Sequence, residues 1–248
     1  MAELNKANRE TCDVDIRIAA TKVPFLSFET ANTTTAGLSS DTTFAMAKGS
    51  KKISFANPLE GTMSIEAQVY PFKFFALLSD GVIATTAAYA DKQIVKADDN
   101  GSLTITLPEG GTIEAGTVFV YPADEYGNES KLIEGTYAEG VFTATQGVTK
   151  DASYVVGYIV NRTGVRKITF NNKKLPKDYY ITQKTLDKDE NDVMTPFVMT
   201  AYRAAIRRDF ELSFASEGDP ASVTLTFDLL EDKDGNVFDM IELSADAE

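Results

Sequence analysis

The sequence contains no histidine and no tryptophan. Histidine is the one side chain that ordinarily titrates near neutrality, so its absence removes the usual biological acid/base group. Triads built on a histidine base and the common zinc sites are excluded with it. Carboxylate, lysine or tyrosine chemistry remains formally open. One cysteine, Cys12, cannot form an intramolecular disulfide and argues against a disulfide-built secreted domain. The start, Met1-Ala2-Glu3-Leu4-Asn5-Lys6, lacks the basic-then-apolar pattern of a signal peptide. No apolar run approaches the roughly 20 residues that span a bilayer. The expectation is synthesis in a cytoplasm, with no membrane partner.

Basic charge is also short. Against 37 acidic residues stand 24 basic ones, a net charge of −13. Residues 101–160 carry two basic and eight acidic side chains. An acidic surface repels phosphate, which argues against a protein that grips nucleic acid. It does not argue against one past which DNA slides.

What is present is a run of alternating segments. Apolar residues make up 43% of the chain, enough for a sizeable core without cross-links. Val14-Asp15-Ile16-Arg17-Ile18 has the period of a half-buried strand, and Thr62 to Val69 alternates in the same way. Pro24–Phe28 and Lys52–Phe55 read as short strands. Residues 30–50 are small, polar and low in charge, which predicts a long loop. From Pro71 the period becomes helical, with Phe72, Phe75 and Leu78 on one stripe ending at Asp80-Gly81. This predicts a short amphipathic helix over 71–79 whose stripe faces a core.

Residues 97–160 carry strand signals about every ten residues, at Leu103–Leu107, Val118–Tyr121, Gly140–Ala144 and Tyr154–Val160. That rhythm and the local charge shift predict a small β-sandwich inserted into a larger fold. After Asn161–Gly164 the first pattern is expected to resume, and Lys167–Asn171 weakly echoes Lys52–Ala56. Tyr179–Thr182, Thr195–Ala205, Phe210–Phe214, Ser222–Leu229 and Val237–Leu243 read as strands, and the tail from Ser244 as loose. The expected fold class is mainly β: two packed antiparallel sheets with a short flanking helix. The expected domains are a discontinuous one, 1–96 with 161–248, and the insertion 97–160.

Candidate sites weigh lightly. Asp232-Lys233-Asp234-Gly235-Asn236 resembles the start of a calcium loop, but its glycine comes too early and strands flank it. It reads as a turn, as does the acidic stretch with Asp187, Asp189 and Asp192. Glu211, Glu217, Asp219 and Asp228 could be drawn as an acid/base pair, yet 37 carboxylates make chance neighbours common. No phosphate-cradling glycine loop and no nucleophile elbow is present. We therefore assign no catalytic, cofactor or metal residues and expect no enzyme. Arg203, Arg207 and Arg208 form a basic trio expected to pair with acidic groups of a neighbouring subunit.

The order of segments resembles a known family. A strand pair is followed by Pro71-Phe72-Lys73-Phe74-Phe75-Ala76-Leu77-Leu78 and a β-rich insertion. The chain then closes with Phe210-Glu211-Leu212-Ser213-Phe214-Ala215-Ser216-Glu217-Gly218-Asp219-Pro220 and Val223-Thr224-Leu225-Thr226-Phe227-Asp228-Leu229-Leu230. This is similar to the major tail, or tail tube, proteins of bacteriophages, over roughly 10–95 and 165–243. The resemblance implies a structural virion protein whose six copies close into a ring. Rings would stack into a tube through which genome DNA passes without specific binding. Sheath, tape-measure and baseplate proteins would be its partners and the virion tail its location, after synthesis in the host cytoplasm. The insertion would resemble the outward-facing immunoglobulin-like additions of some such proteins. Two other readings stay open: a capsid decoration or other virion surface protein, and a carbohydrate-binding module using Tyr121, Tyr126, Tyr154 and Tyr158.

Overall fold

The computed structural model describes residues 5–209, 211–212 and 221–243. The proposed strand Phe210–Phe214, the Glu217-Gly218-Asp219-Pro220 break and the tail lie outside these. The fold is mainly β, with several antiparallel sheets. Its strands are β1 (Lys6–Asn8), β2 (Cys12–Ile18), β3 (Pro24–Ser39), β4 (Thr42–Ala47), β5 (Ser50–Ala56) and β6 (Glu60–Ala67). They continue with β7 (Ala84–Lys96), β8 (Ser102–Thr104), β9 (Gly111–Ile113), β10 (Phe119–Pro122), β11 (Gly135–Ala138), β12 (Val141–Ala144) and β13 (Ser153–Lys167). The last four are β14 (Tyr179–Asp189), β15 (Met194–Ile206), β16 (Val223–Leu230) and β17 (Phe238–Glu242). Among the described residues no helix is long and apolar enough to cross a membrane.

Contacts divide the chain into two compact units, Met1–Val82 with Thr169–Glu248, and Ile83–Ile168. In the first, β14 pairs β2, β2 pairs β3, β3 pairs β6, β6 pairs β16, and β15 pairs β14, β16 and β17. Two strands turn the corners between layers. β3 pairs β2 through Ala31 and β6 from Ala31 onward, with a register shift between Ala31 and Thr33. β15 gives its length to β14 and only Arg203–Ile206 to β16. Bulges at such corners let one strand serve both layers.

Alternation decides what the layers bury. Val14 and Ile16, Met63 and Ile65, Tyr179 and Ile181, and Leu225 and Phe227 point inward and are fully buried. The predicted helix is a 3₁₀ helix, Phe72–Leu78, capped by the extended Pro71. Phe74, Ala76, Leu77 and Leu78 are buried, and Phe74 meets Phe28 edge-on at 5.5 Å. The Tyr179 hydroxyl donates to the Leu77 carbonyl at 3.3 Å, which ties the helix to β14. Burial pushes the Tyr179 phenol far above its usual range. Gln183 also points into the core, and its amide has no hydrogen-bond partner among the described residues.

The second unit encloses its own core between the β10-β13-β7 sheet and the β11-β12-β8 sheet. Val156, Tyr158 and Val160 from one meet Leu103 and Phe142 from the other. β7, which the sequence reading did not place, pairs β13 across twelve positions.

Three expectations are corrected. Residues 30–50 are not a loop: β3 runs through to Ser39, and β4 and most of the turn to β5 follow. Threonines, whose branched side chains suit strands, outweighed the low hydrophobicity there. The strand expected over Tyr154–Val160 does not end there, because β13 continues to Lys167 and absorbs Gly164 (φ +74°) at a register shift. The Lys167–Asn171 echo has no structural counterpart, since only Lys167 lies in a strand.

Candidate assembly surfaces

The acidic turns come first, because their geometry settles what the carboxylates do. Three tight loops repeat one construction, one of them, at Asp189, joining the paired strands β14 and β15. Asp98 accepts from the Asn100 and Ser102 amides at 2.9 and 2.7 Å. Asp189 accepts from Asn191 and Val193 at 2.8 and 2.9 Å. Asp232 accepts from Asp234 and Asn236, both at 2.9 Å. In each loop the fourth residue has positive φ: Gly101, Asp192 and Gly235. In each, the amide of that left-handed residue also donates to the carbonyl of the first aspartate, which closes a tight turn. The first carboxylate is occupied by its own backbone, which supports the turn reading. At Asp232 the Asn236 amide is the largest cause that holds the carboxyl below its usual value.

The basic trio has partners inside its own chain, contrary to the expected neighbour. Arg203 pairs with Asp178 at 2.6 Å, and Arg207 with Asp228 at 2.6 Å. Arg208 donates to the Asn171 carbonyl at 3.0 Å. Sequence spacing could not show this, because Asp178 and Asp228 reach the trio only through β-pairing. Of the four carboxylates once drawn together, Asp228 is held by Arg207, Glu211 is exposed, and Glu217 and Asp219 lie outside the described residues.

The tyrosines of the second unit divide by strand parity. Tyr154 and Tyr158 are core residues, each 5% exposed. Tyr126 is exposed, meets Tyr121 edge-on at 5.4 Å, and lies over Gly157. The structure does not bring the four together as one sugar platform.

Two outer faces of the first unit differ in chemistry. Over β2, β14 and β15 lies a face of mixed charge, with Asp13, Asp15, Arg17 and Lys184. Lys22 sits 3.8 Å above the Tyr180 ring, which meets Tyr202 edge-on. Tyr202 hydrogen-bonds Asp239, and that bond leads the causes that push its phenol up to about 12. The outer face of β3, β6 and β16 is plain by contrast. It shows Thr33 and Thr35, Glu60, Thr62, Ser64 and Glu66, and Thr224, Thr226 and Asp228. None of these three strands contains a lysine, an arginine or an outward aromatic ring.

The third surface is an arm. β4 and β5 pair only with each other, and every residue of β5 is exposed. Met46, Ile53 and Phe55 are 59%, 58% and 56% exposed. Lys48 and Gly49 form a two-residue turn with positive φ at both. At the root, Asn57 donates to the Asp41 carbonyl at 3.0 Å and the Ser40 hydroxyl to the Asn57 carbonyl at 2.7 Å. A lone two-stranded hairpin is marginally stable in water, so this one is built to be covered.

No curated protein matches the chain. Residues 9–242 match the model of the YomU/Tube protein family, which spans both compact units and nearly the whole sequence. By that match the chain belongs to the YomU/Tube protein family and is a phage tail tube protein, a component of the virion tail.

Proposed function

We propose that six copies of this chain close into a ring and that rings stack into a tube that conducts DNA. The observation that carries the DNA-conducting part is the plain outer face of β3, β6 and β16. Duplex DNA binds proteins chiefly through lysine and arginine on phosphate. A face of hydroxyls and carboxylates, where the Arg207 guanidinium at its edge is tied to Asp228, offers little such grip. We assign this face to the lumen. Joining the sheet across subunits would remove exposed strand edges. The mixed-charge face then lies outside the channel, and the second unit is read as an immunoglobulin-like addition. The subunit performs no chemistry, and its working form is the assembly.

Electron microscopy of the purified protein should show hollow rods of uniform width with sixfold end views. The lumen assignment has its own test. A Thr62→Lys/Thr224→Lys variant should still form rods, because both positions are exposed. Those rods should retain linear duplex DNA in sedimentation at moderate salt, where wild-type rods release it. Equal retention by the two would assign the lumen elsewhere.

A further inference from the structure

We propose that the β4–β5 arm of one copy seats on the acidic β14–β15 turn of the next copy, a contact that rests on the tube reading. The arm carries Lys48, Lys51 and Lys52, and no carboxylate occurs from Thr42 to Leu59. In a chain of net charge −13 this is a distinctly basic segment. Beside the lysines stand the exposed Met46, Ile53 and Phe55.

The counterpart has the opposite charge and the same apolar character. The β14–β15 turn holds Asp187, Asp189, Glu190 and Asp192 against one lysine, Lys188. The Asp189 carboxylate is bound to its own loop. Beside it Asp187 accepts from Asn8 at 2.9 Å, Glu190 from Asn5 at 2.6 Å, and Asp192 pairs with Lys188 at 2.6 Å, all at the surface, so the turn keeps a net negative charge to present to a partner. Leu186, Val193 and Met194 flank them at 40%, 47% and 38% exposure. Apolar contact and charge pairing would therefore coincide, each strengthening the other once water is excluded.

Placement turns complementarity into a repeating contact. The turn lies at the Met194 end of β15. At the other end, Arg203–Ile206 pair with β16, whose Leu229 lies opposite Gly61 at the root of the arm. A 13-residue strand spans roughly 40 Å. Two different, mutually complementary patches near opposite ends of one body cannot satisfy each other within a copy. They make a heterologous contact that propagates from copy to copy.

The test uses the full-length chain. Light and isotopically heavy protein are mixed, assembled and treated with a carbodiimide, which activates a carboxylate, joins it as an amide to a touching lysine amine and leaves as the urea, having taken up the water of condensation. Mass spectrometry should find mixed-isotope peptides joining residues 48–52 to residues 187–192. Links only to other carboxylates, such as Asp124 or Glu129, or only within one copy, overturn the proposal. In parallel, Lys48→Glu/Lys52→Glu and Glu190→Lys/Asp192→Lys should each cut assembled mass at least tenfold with unchanged circular dichroism. Combined in one chain, they should restore it to within twofold of wild type. Rods that form normally with the turn reversed sink the docking and leave the tube reading intact. Wild-type protein that never forms rods sinks the tube reading, and the cross-links then decide the docking alone.

Discussion

β6 and β5 are successive strands of one long hairpin, yet they meet opposite fates. In β6, Gly61, Met63, Ile65 and Ala67 are buried against β16 and the opposing layer. In β5 no residue is buried, although Ile53 and Phe55 are as apolar. Both ladders are fully hydrogen-bonded to their hairpin partners. Backbone pairing is therefore not what separates them. One strand finds its core inside its own chain, and the other leaves its apolar side chains exposed.

The sharpest test of that difference uses the same substitution in both strands. Ile65→Ala should lower the unfolding free energy by about 2–5 kcal/mol, read by urea denaturation. Ile53→Ala should change it by no more than about 0.5 kcal/mol in the unassembled subunit, while reducing rod formation. Equal destabilisation by the two would mean the arm packs within its own chain. Gln183→Met comes next. It removes a buried amide that lacks a partner and should raise stability by about 1–2 kcal/mol. A loss of that size would show that the amide is satisfied after all.

Smaller effects belong to the turns. Glu139 sits at positive φ (+49°) before Gly140 in the β11–β12 turn, where asparagine is preferred. Glu139→Asn should raise the thermal midpoint of the second unit, by up to about 1 kcal/mol in free-energy terms. The least effect is the pH response of Asp232. Its folded pKa is lowered, so its contribution is present above the unfolded carboxyl value and is lost as pH falls through the folded one. Asp232→Asn should therefore slightly flatten the acid limb of the melting profile. An unchanged acid limb would show that the loop does not report on Asp232 ionisation.

Legibility followed burial. Alternation alone located β2, β6, β14, β15 and β16, because each has a buried face and a solvent face. The helix at Phe72–Leu78 was legible too, but its stripe only in part: Leu78 is buried as expected, Phe72 is exposed, and Phe74 takes the core position instead. β4 and β7 were missed because most of their side chains are exposed, so little hydrophobic period exists to read. The β4 half of the arm was read as part of a loop on that ground, while Lys52–Phe55 in β5 was read as a strand. The arm's lysines and its three exposed apolar residues were visible in the sequence, but their shared lack of cover was not.

By itself the sequence determined the class of fold, the core-facing positions of the inner strands and the acidic character of the chain. These depend on local period and composition, which need no partner to be read. Only the tertiary structure decided which strands turn corners between layers, which acids hold Arg203 and Arg207, and that β3, β6 and β16, none with a lysine or arginine of its own, share one outer face. Those features arise where residues far apart in sequence become neighbours through strand pairing, and no local pattern encodes which strand will lie beside which.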